Sequence, residues 1–148
     1  MDIELPPDFS EFLRLLDAKG VEYLLIGGYA VAYHGYPRST QDMDVWVAIS
    51  PQNASRLVQA LREFGFESPQ LDDELFLKQD SIVRMGVPPM RIEIATSISG
   101  VSFDECYRAR IVEDFEEVPV SIISLKHLKK NKQSAGRHRD LDDLEHLP

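Results

Sequence analysis

The sequence predicts an α/β fold, or in the looser sense α+β, with a mixed central sheet flanked by helices. Three observations predict it. Short apolar runs at Tyr23–Ile26, Met43–Ala48 and Arg91–Ala95 have the length of strands. Segments with capping residues and helical apolar spacing lie before, between and after them. No internal repeat, low-complexity tract or linker interrupts the chain, so its 148 residues are read as one domain, 1–148. A chain of this size buries about two-thirds of its unfolded surface and needs no covalent staple.

The elements follow in order. Asp8 is read as an N-cap with Glu11 as its capping-box partner, and Phe9, Phe12, Leu13, Leu15 and Leu16 as the apolar stripe of a helix stopped by Gly20. Tyr23–Ile26 is a short buried strand. Gly27-Gly28 turns it into a second helix, Tyr29–His34, ended by Gly35. Tyr36–Gln41 contains Pro37 and is a loop. Met43–Ala48 is the next strand. Ser50-Pro51 starts a helix to Phe64 with a cap and an N1 proline. Strand-like runs follow at Glu74–Gln79, Ser81–Met85 and Arg91–Ala95, with Val87-Pro88-Pro89 as the turn before the last. Phe103–Arg108 fits a short helix. Ile111–Val112 and Val118–Ile123 fit strands joined across the acidic Glu113–Glu117. Ser124 caps a helix to Ser134, Gly136 breaks it, and a last helix ends near Leu147.

Composition narrows the function classes. The hydrophobic fraction of 43% argues against disorder. A formal net charge of −9 disfavours broad, non-specific nucleic-acid binding. The charge is uneven, however: Lys126, Lys129, Lys130, Lys132, Arg137 and Arg139 fall close together, as either a local basic site or a solvated helix face. Cys106 is the sole cysteine, which excludes an internal disulfide and is compatible with a reducing compartment. No run approaches the ~20 apolar residues of a membrane span. The acidic opening MDIELPPDF lacks the basic flank and apolar core of a signal peptide. The expectation is a cytoplasmic protein with no membrane partner.

Two features carry chemistry. A strand ending in Gly27-Gly28 and entering a helix offers backbone N–H groups to an anion, phosphate above all, and glycine permits close approach. A tight strand-to-helix turn uses the same residues, and no GxxxxGK[ST] or GxGxxG string is present. The second feature is Asp42-Met43-Asp44. Alternation puts both aspartates on one strand face and Met43, Val45 and Val47 on the other. Two carboxylates roughly 6–7 Å apart raise each other's pKa, and a divalent cation between them removes that penalty. Hard oxygen ligands suit Mg²⁺. If the strand starts at Met43, Asp42 is a solvated loop residue instead. By the same alternation Glu93 lies opposite Ile92 and Ile94. Beside Met43–Ala48 it makes a carboxylate trio suited to two-metal phosphoryl or nucleotidyl transfer; elsewhere it is a surface glutamate paired with Arg91 or another base.

Gly27-Gly28, Arg38-Ser39-Thr40-Gln41-Asp42-Met43-Asp44 and a carboxylate on a later strand resemble the nucleotidyltransferase superfamily related to DNA polymerase beta. The closing segment from Asn131 to Leu144 resembles its small prokaryotic branch of AbiEii-type toxins and minimal nucleotidyltransferases. The resemblance implies a nucleotidyltransferase-like fold, a bound nucleoside triphosphate and Mg²⁺, or Mn²⁺ in its place. It implies that Gly27 and Gly28 cradle the triphosphate, that Asp42 and Asp44 bridge the metals, and that Glu93 completes the catalytic metal site. The family usually has aspartate at this third position; glutamate is one methylene longer.

Further assignments are expectations with bland alternatives. Arg38 is a candidate phosphate contact or a free surface arginine. Thr40 is a candidate nucleotide-binding residue or orders its own loop by a side-chain hydrogen bond. Lys132, with Lys129, is a candidate for the β- and γ-phosphates or a solvated lysine. Arg139 and Asp143 are spaced to pair along a helix. His34 reads as structural, and Trp46 as core rather than as a pocket wall. The reading is transfer of NMP from an NTP to an RNA, protein or small-molecule hydroxyl, within or outside a toxin–antitoxin pair. The competing reading is a weakly active or inactive binding module that pairs with a partner protein. A nucleotide-sugar glycosyltransferase also uses Asp-x-Asp, but in a longer domain.

Overall fold

The computed structural model describes residues 5–87 and 91–148. Of the turn expected at Val87-Pro88-Pro89, Pro88 and Pro89 lie outside the described residues. Among the described residues, six α-helices, α1 (Pro7–Ala18), α2 (Gly27–Tyr33), α3 (Pro51–Phe64), α4 (Phe103–Arg108), α5 (Leu125–Ala135) and α6 (His138–His146), accompany six strands. The strands are β1 (Tyr23–Ile26), β2 (Met43–Val47), β3 (Ile82–Met85), β4 (Ile92–Ala95), β5 (Ile111–Phe115) and β6 (Val118–Ile122). They form one mixed sheet in the order β3-β4-β2-β1-β6-β5. The pairs β2/β4 and β1/β6 are parallel; β1/β2, β3/β4 and β5/β6 are antiparallel. The mixed α/β architecture is the one expected.

The centre of the sheet is dry. All four residues of β1 are buried, as are Met43, Val45, Trp46 and Val47 of β2 and Ile92 and Ile94 of β4. The predicted stripe of α1 is buried in full, and Leu57, Val58 and Leu61 of α3 join it. Burial of large aliphatic and aromatic side chains at about 1.5–3 kcal/mol each is what holds these layers together. Trp46 belongs to this core: its Nε1 donates to Thr96 O at 3.3 Å and its ring meets Phe103 edge-on. His34 Nε2 lies 2.7 Å from Ile123 O, a structural contact.

Three local expectations differ from the structure. The first helix starts at Pro7, so Asp8 lies in its first turn and makes no cap; Glu11 pairs with Arg14 instead of closing a capping box. Proline pre-sets φ for the first helical position and so draws the start forward. The run Glu74–Gln79 is no strand: Asp73–Phe76 is a 3₁₀ turn. Only Phe76 of that run is buried, and Asp80 at φ 58 breaks extension. The acidic Glu113–Phe115 continues β5, and the connection tightens to Glu116-Glu117, both at positive φ (51 and 71). Two consecutive left-handed residues match the twist of a two-residue hairpin.

Candidate active site

Asp44 sits in β2, and parallel pairing with β4 sets it directly opposite Glu93. Adjacent strands lie about 4.8 Å apart, and residues in register face the same way, so the two carboxyls meet. They share a hydrogen bond. Burial, then the hydrogen bond and charge of Glu93, then the charge of Asp42 push the Asp44 carboxyl up to about 7. Burial pushes Glu93 up as well, but its hydrogen bonds to Asp44 and Arg84 outweigh that and hold it below the ordinary value. Arg84 Nε donates to Glu93 Oε1 at 2.6 Å. One proton between two carboxyls, retained by the more buried one, accounts for both directions.

Asp42 falls just outside β2, which begins at Met43. It is nevertheless no free loop residue. Its Oδ2 accepts from Arg91 Nη2 at 2.6 Å, while its Oδ1 is buried without a hydrogen-bond partner. Asp44 Oδ1 is buried and unpartnered in the same way. Two orphaned carboxylate oxygens on one patch are costly and unusual. They fit a hard cation by donor chemistry. Among the described residues, no three His, Cys, Asp or Glu side chains stand close enough together to hold a metal ion as they are placed. Arg84 and Arg91 each occupy one carboxylate of the trio.

The glycine pair has a packing cause that the sequence does not disclose. Ile26 is paired with Asp44 across β1 and β2, so Gly27 lies against the Asp44 side chain. A Cβ on Gly27 would meet Asp44 Oδ2 at 2.1 Å, and Gly27 also has φ +66. A Cβ on Gly28 would meet Thr40 Oγ1 at 2.6 Å. Thr40 Oγ1 donates to Asp42 O at 3.2 Å, which orders the loop entering β2. The glycines thus admit the aspartate strand and its loop, and they line a cavity of about 420 Å³ whose floor holds Asp44 and Glu93. Thr40 stands behind Gly28 and is not among the residues lining that cavity.

The opposite wall comes from α5 and α6. Lys132, Arg137 and Arg139 line it, together with Arg38 from the loop before β2. Lys132 is only 4% exposed, and its ammonium lies 3.1 Å from Asp140 Oδ1 and 3.0 Å from Asp143 Oδ2. It therefore has partners already and is not the solvated lysine of the alternative reading. Lys129 contacts the Pro148 carbonyl oxygen instead of the cavity. Asp143 takes Arg38 through Nε at 2.8 Å and Nη2 at 3.0 Å, so it does not pair with Arg139, which is exposed. Burial pushes Asp143 and Asp140 up, but their bonds to arginine and to Lys132 outweigh it and hold both below the ordinary range. The sequence reading missed Arg84, Arg91 as partner of Asp42, and the Asp140–Asp143 pair. The i, i+3 spacing of those aspartates was their one visible signal.

The comparisons with known proteins bear on this geometry. A family model described as aminoglycoside-2''-adenylyltransferase matches residues 8–147. A search of curated proteins found no match. Among solved structures, the chain is similar to a candidate nucleotidyltransferase from Thermotoga maritima, with TM-score 0.64 and 15% identity over 93% of this chain and 88% of that one. It is also similar to an antigenic nucleotidyltransferase-like protein from Paracoccidioides brasiliensis, with TM-score 0.56 and 18% identity over 93% of this chain and 72% of that one. The fold is nucleotidyltransferase-like, as the motif implied. The AbiEii-type likeness of the closing segment is a narrower matter on which these matches are silent.

Proposed function

The chain belongs to the family described as aminoglycoside-2''-adenylyltransferase, and from that premise we propose that it transfers NMP from a nucleoside triphosphate to an acceptor hydroxyl with the help of Mg²⁺ or Mn²⁺. The observation that carries the reading is the in-register pair Asp44 and Glu93 on the floor of a cavity walled by cations; Asp42, two residues before Asp44, lies outside the cavity lining. Two buried oxygens without a partner, Asp42 Oδ1 and Asp44 Oδ1, support a cation in this reading.

Asp42 and Asp44 would hold the metal, with Glu93 as the third carboxylate. When bound, the metal lowers the pKa of the attacking hydroxyl and neutralises charge on the departing pyrophosphate. The chain's own residues do the rest. Gly27 and Gly28 leave room for the triphosphate against the backbone. Arg38, Arg137 and Arg139 face its negative charge across the cavity. Glu93, the more exposed of the two facing carboxyls, would accept the proton of the acceptor hydroxyl. An acidic body, −9 overall, favours a small or cationic acceptor over RNA.

Incubation with α-labelled NTPs, Mg²⁺ and either aminoglycosides or cell extract tests the reading. Label moves to an acceptor with the native chain and stays in the nucleotide with Asp44→Asn. No transfer with any NTP, and no heat stabilisation by MgATP, would sink it.

One specific observation favours a second reading. Arg84 and Arg91 already hold one oxygen each of Glu93 and Asp42, which suits a weakly active module that binds nucleotide, or a partner protein as in a toxin–antitoxin pair. Heat stabilisation by MgATP without label transfer, together with co-purification of a second protein, distinguishes it.

A further inference from the structure

Asp140 and Asp143 lie three residues apart on α6, on one face of the helix. They are 1% and 0% exposed, yet the transfer chemistry does not use them. Buried carboxylates persist only when paired. Their partners are not arbitrary. Asp143 grips Arg38, 105 positions away in sequence, at two points. Asp140 grips Arg137 through Nε at 2.8 Å and Nη2 at 3.4 Å. Both arginines line the cavity. Lys132 stands between the two aspartates and bonds to each.

A guanidinium is planar. When Nε and one Nη face a carboxylate, the remaining Nη1 projects along the far side of the plane. Each aspartate therefore fixes an arginine at its rear and leaves donors at its front. Arg137 lines the same cavity as Asp44 and Glu93, although its side chain is 74% exposed. Three cations against two carboxylates leave this wall with excess positive charge.

We propose that Asp140 and Asp143 are positioning residues that aim Arg137 and Arg38 as a two-pronged clamp for the polyphosphate of a nucleoside triphosphate, with Lys132 fixing the spacing of the prongs. The clamp rests on the reading of the cavity as a nucleotide site. It makes the last two helices part of that site rather than a cover for the sheet. A solely structural ion-pair cluster would have no need of arginines that line the cavity.

The test is calorimetric titration with inorganic tripolyphosphate and with MgATP, alongside melting curves. The variants are Arg38→Gln, Arg38→Lys, Asp143→Asn, Arg137→Lys and the double variant Arg38→Gln/Asp143→Asn. Each single change weakens tripolyphosphate binding about tenfold, the scale of one charge-assisted hydrogen bond. Arg38→Lys keeps the charge but not the two-point hold, so it falls with the others. The double variant binds no worse than its weaker parent, because aim and donor are one unit. Native-like binding by folded Asp143→Asn and Arg38→Lys overturns the clamp, as does multiplication of the two losses in the double variant. If Asp143→Asn does not fold, the two lysine variants decide alone, since they leave both aspartates paired. A native chain that binds neither tripolyphosphate nor MgATP removes the nucleotide reading itself and the clamp with it. That outcome is distinct from one in which the native chain binds both and the variants bind equally well.

Discussion

The floor of the cavity and its α5–α6 wall both bury carboxylates, and they treat them in opposite ways. On the floor, Asp44 keeps a buried oxygen with no partner, as does Asp42 just outside the cavity lining, and the Asp44 carboxyl is pushed up to about 7. In the wall, Asp140 and Asp143 are still more deeply buried, yet their carboxyls are held below the ordinary range by arginine and Lys132. Burial alone therefore does not decide the state of an acid here; the neighbours do. The wall is complete as folded. At the floor, Arg84 bonds to Glu93 and Arg91 to Asp42, but Asp44 Oδ1 keeps no partner, which supports the proposed cation.

The comparison is broken most severely at Asp44. Asp44→Asn lowers nucleotidyl transfer about 10²–10³-fold or more, the scale at which a developing charge loses its stabiliser. It also raises the melting temperature of the ligand-free protein by a few degrees, because an amide ends the carboxyl repulsion on the floor. Loss of transfer together with loss of stability would contradict the picture of an electrostatically strained floor. The wall responds the other way. Asp143→Ala leaves Arg38 and Lys132 facing an empty place and costs about 3–5 kcal/mol in denaturant unfolding. Lys132→Met costs less, because Asp143 keeps Arg38 and Asp140 keeps Arg137.

The two regions also differ in sign with pH. Asp44 has a raised pKa, so the folded state holds a proton that the unfolded chain releases above about 4. Its contribution is favourable in acid and is lost as pH rises toward about 7. Asp140 and Asp143 have lowered pKa values. Their contribution is present above about 4 and is lost as pH falls through their folded values. Melting curves from pH 3 to 8 should therefore pass through a maximum on the acid side of neutrality. Asp44→Asn, or saturating Mg²⁺, removes the decline between about pH 5 and 7 and leaves the acid limb in place.

What the sequence discloses follows the same division. The floor is legible because its signals are local: alternation puts Asp44 on one face of β2, the Ile92/Ile94 pattern puts Glu93 on one face of β4, and both placements hold. The Gly27-Gly28 turn is legible in place but not in cause, since its need for glycine comes from Asp44 and Thr40 across the fold. The wall is barely legible. Nothing near Arg38 announces Asp143, 105 positions away. The Asp143 pairing expected with Arg139, four residues back, loses to two partners brought by tertiary structure. Glu74–Gln79 misleads for a related reason: a Leu-Phe-Leu run reads as a strand, but the fold buries only Phe76 fully and spends the rest on a turn.

The smallest expected effect sharpens the comparison most finely. Arg84 comes from the edge strand β3, its side chain is 57% exposed, and its bond to Glu93 lies at the rim. Such a pair contributes roughly 0–1 kcal/mol, so Arg84→Gln barely moves the melting temperature. Its influence on the floor is larger than its influence on the fold. Arg84 holds the Glu93 carboxyl down and places positive charge where a divalent cation would sit. Without it Glu93 rises toward the ordinary value, and a competing cation is gone. Manganese titration followed by calorimetry should then give binding about two- to fivefold tighter at neutral pH, a modest gain because the rim is solvated and screened. Unchanged binding would mean that Glu93 takes no part in holding the metal and that Asp42 and Asp44 carry it alone. The third carboxylate would then serve the acceptor hydroxyl, and the opposition between floor and wall would rest on two acids instead of three.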